Sequence, residues 1–303
     1  MLCQICGKDA VISSASGTFC RDHFLKNFED RVLDTISKYS LINDGEKIVV
    51  ANSGGKDSLS LLYILNKFFR GKNEILSITI DEGIAGYRDK TMDIMKHYCE
   101  DWGVKYKVYS YKDFVSKSMD ELTKIKGGIP CSYCGVLRRY LINKAALENS
   151  ADKVATAHNL DDEAESVIMN LIQNDESRFI RVGANVGLIK DKGFTPRIKP
   201  FMFVSEKETM LYSILRGINA IHSECPYAKF GIRNEVSQIV KQLESLYMGS
   251  KENIVDSALK LADSLKAASD SGKLNKCSIC GAPSSKNICE ACSIRLSVVG
   301  TNV

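Results

Sequence analysis

Eleven cysteines are the residues of this 303-residue chain best suited to chemistry, and their spacing places all but Cys99 in three groups. The groups are Cys3, Cys6 and Cys20 with His23 near the start, Cys131, Cys134 and Cys225 in the middle, and Cys277, Cys280, Cys289 and Cys292 near the end. The first residues, MLCQICGKD, lack the apolar core of an export signal, so we expect a cytoplasmic protein with reduced thiols. Metal or redox chemistry is then expected in place of a disulfide framework.

Both terminal groups have the spacing of structural zinc sites. A Cys-x-x-Cys pair presents two thiolates from one turn, and a second pair of ligands closes a tetrahedron around Zn²⁺. Each terminal group supplies four ligands and leaves no open coordination position. The sequence therefore predicts two structural zinc ions, each of which allows a short segment to fold without much core.

The middle group is incomplete, because only three cysteines are present and the third lies far from the first two. Three thiolates suit an iron–sulfur cluster with one iron open to solvent or substrate. A zinc site with an unseen fourth ligand and a regulatory disulfide are the alternatives. Spacing alone favours none of the three.

A glycine loop, SGGKDS at residues 53–58, follows the apolar run IVVAN. Gly54 and Gly55 let the backbone approach a phosphate, and the start of the following helix favours an anion. Ser53 and Ser58 offer hydroxyls, Lys56 adds positive charge, and Asp57 can cap the helix or help to hold Mg²⁺. The loop lacks the G-x-x-x-x-G-K-[ST] pattern of a Walker A motif, so a different nucleotide site is expected.

SGGKDS resembles the PP-loop of the ATP pyrophosphatases, which cut ATP between its α- and β-phosphates and adenylylate a substrate oxygen. A second segment, AHNLDDEAES at 157–166, resembles the His-Asn-x-Asp-Asp motif of that family. The resemblance implies ATP and Mg²⁺ as cofactors and places Asp161 and Asp162 near the triphosphate, with Asp161 the better candidate for metal or catalytic work. An N-cap followed by a dipole-favoured carboxylate is the plainer interpretation of the pair. Asp81, at the end of the second predicted strand, is a further candidate for cofactor binding.

Two zinc modules flank such a core, and the core contains Cys-x-x-Cys-Gly and a distant Cys-Pro. This arrangement resembles the tRNA 2-thiouridine synthetases of the TtuA/NcsA type over essentially the whole chain. The resemblance implies that Cys131, Cys134 and Cys225 hold a [4Fe-4S] cluster whose fourth iron carries sulfur. It also implies a tRNA substrate and a homodimer. The related TtcA proteins lack the terminal zinc modules. Arg138, in Cys-Gly-x-x-Arg, resembles a basic family position.

The predicted reaction is ATP-dependent replacement of the C2 oxygen of a tRNA uridine by sulfur, with the three core cysteines, Asp161, Lys56 and Arg138 as catalytic candidates. We favour wobble position 34, since the composition is typical of a mesophile, and position 54 is possible. TtcA-like thiolation of cytidine 32 and a zinc-ribbon RNA-binding protein with a vestigial nucleotide site are the alternatives. The sulfur donor is a ubiquitin-like thiocarboxylate carrier or sulfide.

A basic segment is the candidate RNA surface, although the net charge of +4 is mild. Its cations are Arg178, Arg181, Lys190, Lys192, Arg197 and Lys199, and Lys273, Lys276, Lys286 and Arg295 extend them. No apolar run approaches the ~20 residues that span a bilayer, so no membrane partner is expected.

The elements that must position these residues alternate between strands and helices. Apolar runs predict strands at 47–52, 75–81, 104–110 and 153–157, and helical periodicity predicts helices at 57–70, 87–101, 112–124, 134–149, 160–174, 206–217, 233–248 and 252–268. This pattern predicts an α/β, Rossmann-like PP-loop core of the HUP type, a parallel sheet with helices on both faces. The predicted units are an N-terminal zinc module at 1–26, the core at 27–222, a helical extension at 223–269 and a C-terminal zinc ribbon at 270–303, entered through a hinge at 270–275.

Overall fold

A computed structural model describes residues 1–186, 191–221, 225–268 and 274–299. Two cations of the candidate RNA surface, Lys190 and Lys273, and most of the expected hinge lie outside the described residues.

The chain forms ten strands and twelve α-helices within the described residues. The strands are β1 Ile12–Ser14, β2 Gly17–Phe19, β3 Lys47–Ala51, β4 Glu74–Asp81, β5 Lys105–Ser110, β6 Lys153–Ala155, β7 Asn185–Val186, β8 Arg197–Ile198, β9 Asn275–Lys276 and β10 Pro283–Ser284. The helices are α1 Arg21–Lys38, α2 Lys56–Phe69, α3 Arg88–Asp101, α4 Tyr111–Val115, α5 Met119–Lys126, α6 Pro130–Glu148, α7 Leu160–Ile172, α8 Glu176–Phe179, α9 Glu206–Leu215, α10 Arg233–Leu246, α11 Ser250–Ala268 and α12 Glu290–Val299.

The central sheet has the strand order β5-β4-β3-β6-β8-β7. All neighbouring strands are parallel except β7, which pairs antiparallel with β8 at one edge. The winding reverses between β3 and β6, and in such sheets ligands bind in the crevice outside the carboxyl ends of the strands at this point. The predicted parallel α/β core is confirmed, and the segments that follow β3 and β6 are the two recognised motifs.

Buried apolar side chains explain why the central strands were readable from the sequence. Ile48, Val49 and Val50 of β3 are fully buried, because helices cover both faces of a parallel sheet. One core cluster packs α1, α2, α7 and α9 against one face, and a second packs α4, α5, α6 and α12 against the other.

Two predicted helices differ from the observed ones. The helix expected over 112–124 is divided into α4 and α5, because Ser116 adopts a left-handed conformation (φ 57°) and Ser118 starts a new helix with a capping box to Glu121. The helix expected from 134 begins at Pro130, which occupies its first turn. Both Cys131 and Cys134 therefore lie at the start of α6.

The terminal modules are small hairpins joined to helices. In the first, β1 and β2 pair antiparallel and lead into α1. In the second, β9 and β10 pair antiparallel, and α12 packs against α4, α5 and α6. Among the described helices, none is long and apolar enough to cross a membrane.

Candidate active site

The glycine loop joins the end of β3 to the first turn of α2. Gly54 has a φ of 80°, and a Cβ there would lie 2.1 Å from the carbonyl oxygen of Thr91 in α3. Glycine is therefore required at this position both by the backbone conformation and by the close approach of α3. Gly55 is the N-cap of α2 and has no side-chain cap, so the amides at the start of the helix face the crevice.

Asn52 organises this loop, and the sequence analysis did not single it out. Its buried side chain accepts a hydrogen bond from the Gly54 amide at 2.9 Å, and its Oδ1 lies 3.0 Å from the Ser58 hydroxyl. Ser58 Oγ in turn lies 3.1 Å from Ser53 Oγ and accepts from the Ser53 amide at 3.2 Å. The two predicted serines are thus brought together, and an asparagine just before the motif fixes their geometry.

Lys56 and Asp57 form an ion pair at the mouth of the loop. Lys56 Nζ donates to Asp57 Oδ2 at 2.8 Å and to Glu206 Oε1 at 3.2 Å. Burial opposes the charge of Lys56, but these two carboxylates outweigh it and raise the lysine pKa. Burial raises the pKa of Asp57, whose other oxygen accepts a hydrogen bond from Thr209 at 2.5 Å. Helix α9 therefore completes the loop from a distant part of the chain.

Asp161 and Asp162 point to different partners. Asp162 forms a capping box with Asn159, with hydrogen bonds of 3.1 and 3.2 Å, as the plainer interpretation of the pair predicts. Asp161 is buried and accepts a hydrogen bond from the Glu206 amide at 2.8 Å. Its other oxygen is ion-paired with Lys251 of α11, which is also buried. The structure therefore brings Asp161 next to the glycine loop through Glu206, and it adds a lysine that no motif marked.

Asp81 lies at the end of β4 and has a local role. Its Oδ1 accepts a hydrogen bond from the Gly83 amide at 2.8 Å, which closes a turn. No contact in the described structure joins it to the glycine loop directly. The next residue, Glu82, makes the longer connections described below.

The three core cysteines converge at the first turn of α6. Cys131 and Cys134 are three residues apart and so share one face of the helix. The Cys131 thiol donates to the Tyr227 carbonyl at 3.4 Å, which places the turn that begins at Cys225 against the same face. Cys131 is exposed, Cys225 partly buried and Cys134 buried. The trio thus opens toward solvent from one side.

Polar groups surround Cys134 on its buried side. The Tyr111 hydroxyl donates to the Cys134 carbonyl at 2.8 Å and lies 3.3 Å from its sulfur. Arg138 donates from one terminal nitrogen to the same sulfur at 3.6 Å and from Nε to Glu82 at 2.9 Å. Burial raises the pKa of the Cys134 thiol, and Arg138 and Tyr111 oppose this shift.

The N-terminal ligand set is closed. Its ligands, Cys3, Cys6, Cys20 and His23, bring their ligand atoms within 4.8 Å of one another. The Cys6 and Cys20 sulfurs are 3.7 Å apart, and His23 Nδ1 lies 3.4 Å from the Cys3 sulfur and 3.3 Å from the Cys20 sulfur. Burial opposes the thiolate of Cys3, but backbone amides that donate to its sulfur lower its pKa to about 6.

The C-terminal ligand set has the same construction. Its ligands, Cys277, Cys280, Cys289 and Cys292, also lie within 4.8 Å of one another, and the Cys280 and Cys289 sulfurs are 3.8 Å apart. A tetrahedron of thiolates at about 2.3 Å from Zn²⁺ has edges of about 3.8 Å. The donor types and the spacing of both terminal sets therefore fit zinc.

The core trio does not form such a set. Among the described residues, only the two terminal groups bring all of their ligand atoms within 4.8 Å of one another. A four-iron cluster is larger than a single ion, so its thiolate ligands stand farther apart. The more open arrangement of Cys131, Cys134 and Cys225 fits a cluster better than a third zinc ion.

The basic segment contributes cations of two kinds. Lys199 is ion-paired with Glu163 at 2.7 Å, and Arg178 with Asp175 at 2.9 Å. Arg181, Lys192 and Arg197 have no acidic group within 4.0 Å in the part of the chain that the structure describes. Lys286 is paired with Glu290, and Arg295 lies over the Phe114 ring. Arg181, Lys192 and Arg197 are therefore the segment's best candidates for binding an external anion.

Comparison with known proteins identifies the family. Residues 24–209 match the model of the PP-loop domain. A tRNA-5-methyluridine(54) 2-sulfurtransferase from Pyrococcus horikoshii is 34% identical over 96% of this chain and 93% of its own length. The cytoplasmic tRNA 2-thiolation protein 1 of Chlamydomonas reinhardtii is 35% identical over 96% of this chain and 83% of its own. The chain belongs to the PP-loop family of tRNA-thiolating proteins.

A solved structure supports the same family. It is the U34-tRNA thiolase NcsA from Methanococcus maripaludis with its [4Fe-4S] cluster, with a TM-score of 0.84 and 32% identity over 97% of this chain and 95% of that one. The family match ends at residue 209, so Cys225, Lys251 and the C-terminal set lie beyond the PP-loop domain.

Proposed function

We propose that this protein is an ATP-dependent tRNA-uridine 2-sulfurtransferase. The observation that carries the proposal is that the glycine loop and the core cysteines lie at the same edge of the sheet, where Arg88, Glu82 and Arg138 join them. An activating nucleotide and a sulfur-handling group would thereby lie at the same edge of the sheet. The thiolating relatives support this assignment.

ATP would bind with its phosphates against the amides and hydroxyls of residues 53–58. Lys56 would lie beside the phosphates, and Lys251 supplies a second cation at Asp161. Attack of the uridine C2 oxygen on the α-phosphorus forms an adenylylated base and releases pyrophosphate. Two cations at this position stabilise the charge that develops on the phosphates. Asp161 and Asp57 are the carboxylates available to Mg²⁺.

Sulfur replaces the activated oxygen in a second step. Hydrosulfide attacks C2, the bond from C2 to oxygen breaks, and AMP leaves with the former O2 atom. The proton of the hydrosulfide passes to N3, so C2 carries sulfur in place of oxygen without any change of oxidation state. Cys131, Cys134 and Cys225 would hold a [4Fe-4S] cluster, whose iron without a protein ligand supplies a binding position for the sulfur. Arg138 lies 3.6 Å from the Cys134 sulfur and is half exposed, so it can face an anionic group on this side of the crevice.

Each terminal set would hold a structural zinc ion, because all four coordination positions are filled by protein ligands. The C-terminal module packs on α6, the helix that carries two of the core cysteines. Its zinc would therefore support the sulfur site indirectly.

We assign wobble position 34 as the target, which is supported by the fold likeness to the U34-tRNA thiolase. Position 54 is the second candidate, because the Pyrococcus relative acts there and is 34% identical. The uridine enzymes among the relatives favour either position over cytidine 32. The proposal includes a homodimer and a sulfur donor that is either a thiocarboxylate carrier or sulfide. It also includes cytoplasmic localisation, which the Chlamydomonas relative's name supports.

Anaerobic purification followed by metal and sulfide analysis tests the proposal together with an ATP assay. We expect two zinc ions and one four-iron cluster per chain, and tRNA-dependent formation of AMP and pyrophosphate. Mass spectrometry of nuclease-digested tRNA fragments should then locate 2-thiouridine at position 34. Three zinc ions without iron would refute the cluster, and tRNA binding without AMP formation would support the alternative of an RNA-binding module.

A further inference from the structure

A chain of charged side chains connects the glycine loop with the core cysteines. At its centre is Glu82, the residue that follows β4, which is 4% exposed. One of its carboxylate oxygens accepts a hydrogen bond from Arg138 Nε at 2.9 Å. The other lies 2.9 Å from Arg88 Nε, close but not aligned for a hydrogen bond, so this second contact is an ion pair.

Arg88 carries the connection to the nucleotide side. It is 3% exposed at the start of α3, and one of its terminal nitrogens donates to the Ser53 carbonyl at 2.6 Å. Its other terminal nitrogen donates to Thr79 at 2.9 Å, and Thr79 donates to the Asn52 carbonyl. Arg88 therefore holds the Ser53 carbonyl directly and the Asn52 carbonyl through Thr79.

Arg138 carries the connection to the sulfur side. Its Nε is used by Glu82, which leaves a terminal nitrogen directed at the Cys134 sulfur at 3.6 Å. Because a guanidinium is planar and rigid, fixing Nε also fixes the direction of the terminal nitrogens. The carboxylate of Glu82 thus sets where the positive charge of Arg138 lies relative to Cys134.

The charge balance gives this arrangement a function beyond packing. Two guanidinium groups share one buried carboxylate, so the triad carries one net positive charge. A buried charge without a partner is unfavourable, so the triad favours an anion at its half-exposed end, next to Arg138. A thiolate, a bound sulfide or a phosphate of the substrate is such an anion.

We propose that Glu82 is a positioning residue that sets the geometry of both sites at once, holding Arg88 under the nucleotide loop and Arg138 beside Cys134. The proposal deepens the proposed function and rests on it. Glu82 lies outside the glycine loop, and its side chain contacts Arg88 and Arg138, so its effect at each site passes through one arginine. Because the two arginines share one carboxylate, its loss is expected to disturb both sites together.

The test compares Glu82→Gln with variants of each arm and reads the two sites separately. Calorimetric binding of a non-hydrolysable ATP analogue reads the loop, and the visible circular dichroism of the cluster in the anaerobically purified full chain reads the thiols. Arg88→Lys should weaken binding of the analogue and leave the cluster spectrum unchanged. Arg138→Lys should change the cluster spectrum and leave binding of the analogue unchanged. Glu82→Gln should change the cluster spectrum and also lower the affinity for the analogue by about tenfold or more. This is the scale at which outer partners of a metal ligand act.

A control and a fallback keep the outcome decisive. Glu148→Gln, an exposed carboxylate paired with Lys144 on the surface of α6, should change neither readout. Folding of each variant is checked by thermal unfolding. If the purified chain proves to hold no cluster, the alkylation rate of Cys134, followed by peptide mass spectrometry, replaces the spectrum, so failure of the proposed function is told apart from failure of this inference. A folded Glu82→Gln chain that alters only one site, or neither, overturns the positioning role.

Discussion

The terminal cysteine sets and the core trio use the same side chains for different ends. Each terminal set has four ligands within 4.8 Å, two of its thiols buried, and backbone amides that donate to sulfur. The core trio has three ligands, is more open, and has one buried thiol, that of Cys134. A metal with four protein ligands has no free coordination position, whereas a set of three ligands leaves one position for substrate.

Their surroundings differ in the same sense. Within the described residues, no lysine or arginine donates to a sulfur of either terminal set. The core trio lies beside Arg138 and a buried carboxylate, within reach of the loop that we assign to ATP. A structural site and a reactive site are therefore best distinguished by two features together, the number of protein ligands and the charged side chains that face them.

Removing a core cysteine should give the largest functional effect. Cys134→Ala is expected to lose iron, to retain both zinc ions and to lower tRNA thiolation by at least about 100-fold, since even an outer partner of a metal ligand is worth 10- to 100-fold. Metal analysis and thiolated-nucleoside mass spectrometry measure the two effects. Undiminished thiolation in Cys131→Ala, Cys134→Ala or Cys225→Ala would contradict a reactive trio.

Removing a terminal ligand should affect folding more than chemistry. Cys292 is fully buried, and Cys292→Ala is expected to lose one zinc ion and the hydrogen-exchange protection of residues 275–299. Isolated zinc-finger peptides gain about 10–16 kcal/mol from the metal, so the module cannot remain folded without it. Thiolation should fall less than in Cys134→Ala, because the thiols of α6 remain.

Ser293→Ala, an exposed neighbour on α12, is the matched control for this variant. It should keep both zinc ions and full protection. Loss of iron from Cys292→Ala without loss of zinc would reverse the roles given to the two kinds of site.

The sequence was sufficient where the controlling contacts are local. The apolar runs predicted β3, β4, β5 and β6 to within two residues at each end. Buried parallel strands such as β3 are continuous stretches of apolar residues, whereas β5, an edge strand with no buried residue, alternates lysine with Tyr106 and Val108. The terminal sets were visible because their ligands come as closely spaced pairs. Ser116 could not be predicted to divide a helix, since its left-handed conformation depends on the packing of α4.

The sequence was insufficient where the controlling contacts join distant segments. Lys251 reaches Asp161 across 90 residues, and Arg138 reaches Glu82 across 56. Neither Lys251 nor Glu82 lies in a motif with a distinctive spacing. The short strands β7 and β8 were also missed, because two residues each give no periodicity and their pairing is decided by the edge of the sheet.

The smallest effect concerns how the closed N-terminal set is attached to the rest of the molecule. Glu208 of α9 is 3% exposed, and it accepts hydrogen bonds from Ser16 in the zinc hairpin at 2.7 Å and from Arg31 at 2.6 Å. Glu208→Gln should lower the free energy of unfolding by about 1.5–3 kcal/mol at pH 7, the range for hydrogen bonds to a charged group. Chemical denaturation measures this, with Glu148→Gln expected to change it by less than about 0.5 kcal/mol.

The pH dependence of this effect has a definite sign. Burial opposes the charge of Glu208, but Arg31 and the Ser205 amide outweigh it and lower the pKa of the carboxyl. A lowered folded-state pKa gives stability that is fully present above the ordinary glutamate pKa of about 4.3 and is lost as the pH falls through the folded-state value. The gap between the wild-type chain and Glu208→Gln should therefore narrow below about pH 4. A gap that is constant with pH would show that the attachment of the zinc hairpin depends on the shape of this side chain and not on its charge.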